Sequence, residues 1–136
     1  MPNVGTYNEQ LPCGGSLTVT AKEFRINYHF PGQDSRYKGT WVSIPGERVD
    51  EYIQALKDNW RTYAELKGSI PDGGQFTKEG KLSMSIIIGG YSDGVCLSWH
   101  YLRMATIDDV RKVISSYRYA QRRSIEVQVL LKKLNN

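Results

Sequence analysis

Along the last quarter of the chain, Val110, Val113, Tyr117, Ala120, Ser124, Val127, Leu131 and Leu134 recur at alternating steps of three and four. That spacing predicts one long helix with an apolar seam that must lie against something. Thr106-Ile107-Asp108-Asp109 precedes it and reads as a capping-box start, with Asp109 in place of the usual Glu or Gln. The stretch 124–131 also alternates, with Ile125, Val127, Val129 and Leu131 against Glu126 and Gln128. It therefore also fits a sixth strand after a helix ending near Arg123. No Gly or Pro separates the two parts, which favours a continuous helix. In a helix, Ile125, Val129 and Leu130 fall off the seam and face outward, a candidate protein interface.

Upstream, the pattern has period two. Leu17, Val19 and Ala21 alternate with Thr18 and Thr20. Phe24, Ile26, Tyr28 and Phe30 share one face of the next run, and Arg25, Asn27 and His29 share the other. Thr40, Val42 and Ile44 oppose Trp41 and Ser43. Pro45-Gly46 ends that strand and opens a helix whose stripe is Val49, Tyr52, Ile53, Leu56, Trp60 and Tyr63, with Gly68 just past its end. Residues 69–80 read as a loop. Residues 81–88 read as a strand with Leu82, Met84, Ile86 and Ile88 inward and Ile87 outward. After a glycine-rich turn, Val95, Leu97, Trp99 and Tyr101 alternate with Cys96, Ser98 and His100 as the return strand of a hairpin.

The expected fold class is α+β: an antiparallel sheet of about five strands in the order β-β-β-α-β-β-α, with two helices packed on one face and the longer one C-terminal. A strand-strand-helix order occurs twice, without sequence identity between the halves. A chain of 136 residues suits a single domain, 1–136. Residues 1–15, punctuated by Pro2, Gly5, Pro12, Gly14 and Gly15, read as an N-terminal arm.

Charge is uneven along this chain. From Arg103 onward, eight basic residues face three acids, a local net of +5, while the remainder nets −1, for a total of +4. Such a balance permits a polyanionic partner. Cys13 and Cys96 form no disulfide framework and are expected to be reduced thiols. The chain shows neither a signal peptide nor an apolar run of membrane-spanning length, so the expected location is cytoplasmic, with no membrane partner.

Catalytic signatures are missing: the sequence has no GxSxG, HExxH, CxxC or phosphate loop. The two histidines, His29 and His100, lack neighbours at metal-ligand spacing. Cys96 and His100 stand too far apart on a regular strand for a nucleophile–base pair. No catalytic residue, metal or cofactor is expected, and the chain is not expected to be an enzyme. The candidate chemistry is recognition. Arg111, Lys112, Arg118 and Arg122 fall on the helix side opposite the seam, with Tyr119 among them. Arginines fork onto phosphate and an aromatic ring stacks on a base, although a solvated helix face has the same pattern. Arg36 and Lys38 mark a basic loop beside Trp41, the ring least suited to a core.

The runs Lys22-Glu23-Phe24-Arg25-Ile26-Asn27-Tyr28 and Lys38-Gly39-Thr40-Trp41-Val42-Ser43-Ile44-Pro45, with the helix through Tyr52, Ile53 and Leu56, resemble one PUR repeat. That family builds several antiparallel strands followed by a helix and binds single-stranded nucleic acid. The Whirly-type fold is similar in plan, with two sheet-plus-helix units. The resemblance covers about the first half of the chain and implies that Arg25, Lys38 and Trp41 touch the strand. Two functions are thus expected. One is a module for single-stranded DNA or RNA using Arg36, Lys38, Trp41 and the helix cations. The other is a protein-binding inhibitor or adaptor, of the anti-defence or immunity kind that phages and mobile elements encode, as a homodimer through the C-terminal helix in its simplest form.

Overall fold

The computed structural model of the chain describes residues 5–30, 40–97 and 102–134. Among them, four strands followed by a helix occur twice. The first set is β1 Tyr7–Gln10, β2 Ser16–Val19, β3 Phe24–Phe30, β4 Thr40–Pro45 and α1 Val49–Lys67. The second is β5 Phe76–Glu79, β6 Ser85–Ile88, β7 Gly94–Leu97, β8 Leu102–Met104 and α2 Ile107–Leu134. Each set of strands makes its own antiparallel sheet, ordered as in the chain. The α+β class, the antiparallel pairing and the long C-terminal helix agree with the sequence pattern. The single sheet of about five strands is corrected to two sheets of four. The alternative strand at 124–131 is helix.

The strands that periodicity missed are all edges. β1 lies inside the expected arm, and its Pro12, Gly14 and Gly15 are turn residues. Gly14 and Gly15 take φ of +86° and +77°, and the Leu11 N–H closes the hairpin onto the Gly15 carbonyl at 3.0 Å. β5 lies inside the expected loop and carries Phe-Thr-Lys-Glu. β8 has three residues; of the expected strand through Tyr101, β7 covers Gly94–Leu97, and 98–101 lie outside the described residues. An edge strand is held by backbone pairing on one side and exposes much of its side-chain surface, so its sequence has little reason to alternate.

The chain packs as two compact units, Met1–Val49 with Ser115–Asn136, and Asp50–Ile114. In the first, the β1–β4 sheet buries Leu17, Val19, Ile26, Tyr28 and Ile44, and α2 buries Tyr117, Ala120, Ser124, Val127 and Leu131. The Tyr28 hydroxyl donates to that of Tyr117 at 2.9 Å, which ties helix to sheet through the core. The predicted seam is therefore buried as far as Leu131, whereas Leu134 is exposed.

In the second unit, the helix start is as expected. Thr106 and Asp109 exchange bonds: the Asp109 N–H donates to Thr106 Oγ1 at 3.2 Å, and Asp109 Oδ2 accepts the Thr106 N–H at 3.1 Å. The expected strand at 81–88 is shorter. Lys81–Ser83 is a 3-10 turn in which Leu82 and Ser83 take φ of 53° and 57°, a left-handed pair that side chains resist. A buried polar residue on α1 holds it. Asn59 accepts the Lys81 N–H at 2.8 Å and donates to the Lys81 carbonyl at 3.0 Å, pairing both backbone groups as a strand would. The outward position assigned to Ile87 is also corrected. Ile87 and Cys96 are buried, as are Ile86 and Val95 on the opposite face, so this sheet has no open side at its centre.

Replacing Asn59 by Leu leaves the Lys81 N–H without its partner and the Lys81 carbonyl with only the Met84 N–H at 3.3 Å, and a lost partner of this kind costs about 1–3 kcal/mol. Asn59→Leu is expected to lower unfolding free energy by roughly 1–3 kcal/mol in urea titration. A change under about 0.5 kcal/mol, typical of an inconsequential surface site, would show that the turn holds itself.

Candidate nucleic-acid interface

Strand pleating decides which residues of the first sheet are available. Ile26 and Tyr28 point toward the α2 side, so Arg25, Asn27 and His29 must point away from it. Registration adds their neighbours. Thr18 pairs with Arg25, Ser16 and Ser43 flank Asn27, and Trp41 pairs with His29. Asn8 and Gln10 extend the face onto β1. All of these are exposed or half-buried, and Trp41 is 72% exposed. No acid stands on this face among the described strand residues.

Two features organise it. At one end, the His29 and Trp41 rings stack with centroids 4.0 Å apart and planes 23° apart, a flat aromatic surface open to solvent. Across the middle runs a ladder of side-chain bonds. Arg25 Nε donates to Ser43 Oγ at 2.7 Å, and Ser43 Oγ donates to Asn27 Oδ1 at 2.7 Å. Asn27 Nδ2 then donates to Thr18 Oγ1 at 3.1 Å, and Thr18 Oγ1 donates to Asn8 Oδ1 at 2.8 Å. Every strand of the sheet contributes, so the face is a fixed polar surface with a cation in it.

Of the residues singled out by sequence, Trp41 and Arg25 are on this face. Arg36 and Lys38 lie outside the described residues. The α2 residues are divided between the two units. Arg111 and Lys112 fall in the second unit and Arg118, Tyr119 and Arg122 in the first. Arg111 pairs with Asp108 at 3.4 Å, and Arg118 donates to Gln121 at 2.9 Å. Arg122 is exposed. Tyr119 has partners on both α2 and β1. Its hydroxyl bonds Glu9 of β1 and accepts from Arg123 Nε at 3.0 Å, so the ring is a half-buried link between α2 and the sheet. Ile125, Val129 and Leu130 are exposed, with Leu134 beside them at the helix end.

Sequence reasoning overlooked His29, Asn27, Ser43, Thr18 and Asn8 as members of one surface. The alternation placed Arg25, Asn27 and His29 together, but only register brings Ser43, Thr18 and Asn8 into line with them. Cys96 is a buried free thiol; the neighbouring Ser98 and His100 lie outside the described residues. Among the described residues no cluster of His, Cys, Asp and Glu could hold a metal ion, and no helix is long and apolar enough to cross a membrane. Comparison with protein-family models, curated proteins and solved structures finds no match to this chain.

Glu9 offers a test of the Tyr119 link. Hydrogen bonds from Tyr119 and then Tyr7, with the charge of Arg123 at 3.1 Å, hold its carboxyl below the usual carboxylate range. A depressed folded-state pKa means the stabilisation is present at neutral pH and is lost as pH falls through that value. Glu9→Gln is expected to melt below the wild type at pH 7, and the gap is expected to close below about pH 4. Thermal melts across that range check it; a gap independent of pH would show that the charge on Glu9 is irrelevant.

Proposed function

We propose that this chain is a non-enzymatic module that binds single-stranded DNA or RNA on the open face of the β1–β4 sheet. The observation that carries the reading is the solvent-facing His29–Trp41 stack on the same acid-free sheet face as Arg25. Unpaired bases stack on exposed rings whatever their identity, and a nearby guanidinium takes the backbone charge. The amides and hydroxyls of the ladder offer further contacts to base edges and sugars. Two sheet-plus-helix successions are also compatible with the plan that the resemblance to PUR and Whirly-type modules implies. Arg36 and Lys38, in the connection between β3 and β4 a few residues before Trp41, add positive charge that acts over roughly a Debye length, about 8–10 Å at ordinary salt.

A second reading, the protein-binding adaptor or inhibitor, is favoured by one observation. Ile125, Val129 and Leu130 are 64%, 51% and 54% exposed on the outer side of α2. Its simplest form is a homodimer through that face. Light scattering then shows a dimer that Ile125→Glu converts to monomer; a wild-type monomer removes the homodimer form.

The nucleic-acid reading is tested by fluorescence anisotropy with a short labelled oligothymidylate. Affinity is expected to fall steeply between about 50 mM and 200 mM salt as phosphate contacts release counterions. Trp41→Ala is expected to weaken binding by about 1–3 kcal/mol, the usual worth of stacking one base. Wild-type protein that fails to bind at the lower salt sinks the reading.

A further inference from the structure

We propose that Arg25 is the phosphate-binding fork of this face, and that Ser43 and Asn27 are positioning residues that aim it. The proposal rests on the nucleic-acid reading and specifies how the sheet would hold the backbone of the strand.

The direction of the ladder follows from the inventory of donors. Arg25 can only donate, so Ser43 must accept from it at Oγ. The single Ser43 proton then goes to the Asn27 carbonyl oxygen. That turns the Asn27 amide nitrogen toward Thr18, whose own proton passes to Asn8. Each link donates to the next, from the positive charge of Arg25 through Ser43 on β4 and back across the sheet to Asn8 on β1. Bonds in such a series polarise one another, so the guanidinium end is the most firmly set.

Only Nε of Arg25 is used in this way. Its two Nη groups make no hydrogen bond or ion pair among the described residues, and no acid shares the face. An arginine whose plane is already fixed by Nε presents its Nη edge as a ready pair of donors, the geometry that a phosphodiester accepts in bidentate fashion. Ordering the side chain before the ligand arrives removes a cost that binding would otherwise carry.

The spacing selects the ligand class. Arg25 and His29 lie four residues apart on β3, about 13 Å at strand rise. A single nucleotide does not span from a base on the His29–Trp41 stack to a phosphate on Arg25. A polynucleotide running along β3 does. The ligand is therefore an oligonucleotide several units long, and a free mononucleotide is a poor competitor for it.

The experiment is a double-mutant cycle on the full chain, with Arg25→Gln, Ser43→Ala and both together, read by anisotropy against labelled oligothymidylate at several salt concentrations. Arg25→Gln is expected to lower affinity and to flatten the log–log salt dependence by about one phosphate contact, roughly 0.7 in slope for a single strand. Ser43→Ala keeps the charge and is expected to weaken binding at least about three-fold when Arg25 is present, and not at all when Gln replaces it. Ser43→Thr, which restores the hydroxyl, is expected to recover binding, and circular dichroism melts confirm that each variant is folded. Equal losses from Ser43→Ala in both backgrounds, or an unchanged salt slope in Arg25→Gln, overturn the proposal while leaving the broader reading intact if Trp41→Ala still weakens binding. Wild-type protein that does not bind overturns both.

Discussion

The open face of the first sheet exists because the other face is taken. Tyr28 and Tyr117 meet in the core of that unit, and both are almost fully buried. Burial pushes the Tyr28 hydroxyl pKa up to about 12, against the opposing pull of its bond to Tyr117, so the group stays neutral and its proton is available to donate. Two hydroxyls that satisfy one another can be buried where a lone one would carry a desolvation cost. With that contact in place, strand alternation leaves no freedom. Ile26 and Tyr28 face the helix, and Arg25, Asn27 and His29 face solvent.

The repeat of architecture is not a repeat of chemistry. In the second sheet both faces are buried at the centre, Ile86 and Val95 on one and Ile87 and Cys96 on the other. Its exposed charges are at its edges, and its turns are internally braced. Asp93 illustrates this: burial raises its pKa, and bonds from the Tyr63 hydroxyl, the Gly89 N–H and Lys67 together outweigh burial and hold it below the usual range. The carboxylate is occupied in closing the turn before β7. On the first sheet, by contrast, exposed polar groups are arranged across strands instead of within one loop.

Charge in this chain does two jobs. The excess of basic residues after Arg103 suggests a cationic rod, yet several of those cations are partnered within the fold. Arg123 bridges Glu9 and Glu126, and Arg111 pairs with Asp108 one turn earlier. Exposed pairs of this kind contribute little stability each, about 0–1 kcal/mol, but they fix side chains and lower the local field. Arg25, in contrast, stands on a face with no acid and is aligned by neutral neighbours.

Local pattern determined the helices, their caps and the central strands, because a buried element must repeat its apolar residues at its own period. The stripe of α1, the Thr106–Asp109 box, the seam of α2 and the alternation of β3 were all legible on that ground, as was the exposure of Trp41. Edge strands β1, β5 and β8 were not legible, since pairing through the backbone asks nothing of side chains. Nor was the left-handed turn at Leu82 and Ser83, which depends on Asn59 reaching it across 22 residues of sequence. The ladder from Arg25 to Asn8 belongs to the same class. Its members lie on four strands, and hydrogen-bonded register alone makes neighbours of residues that the linear chain keeps apart.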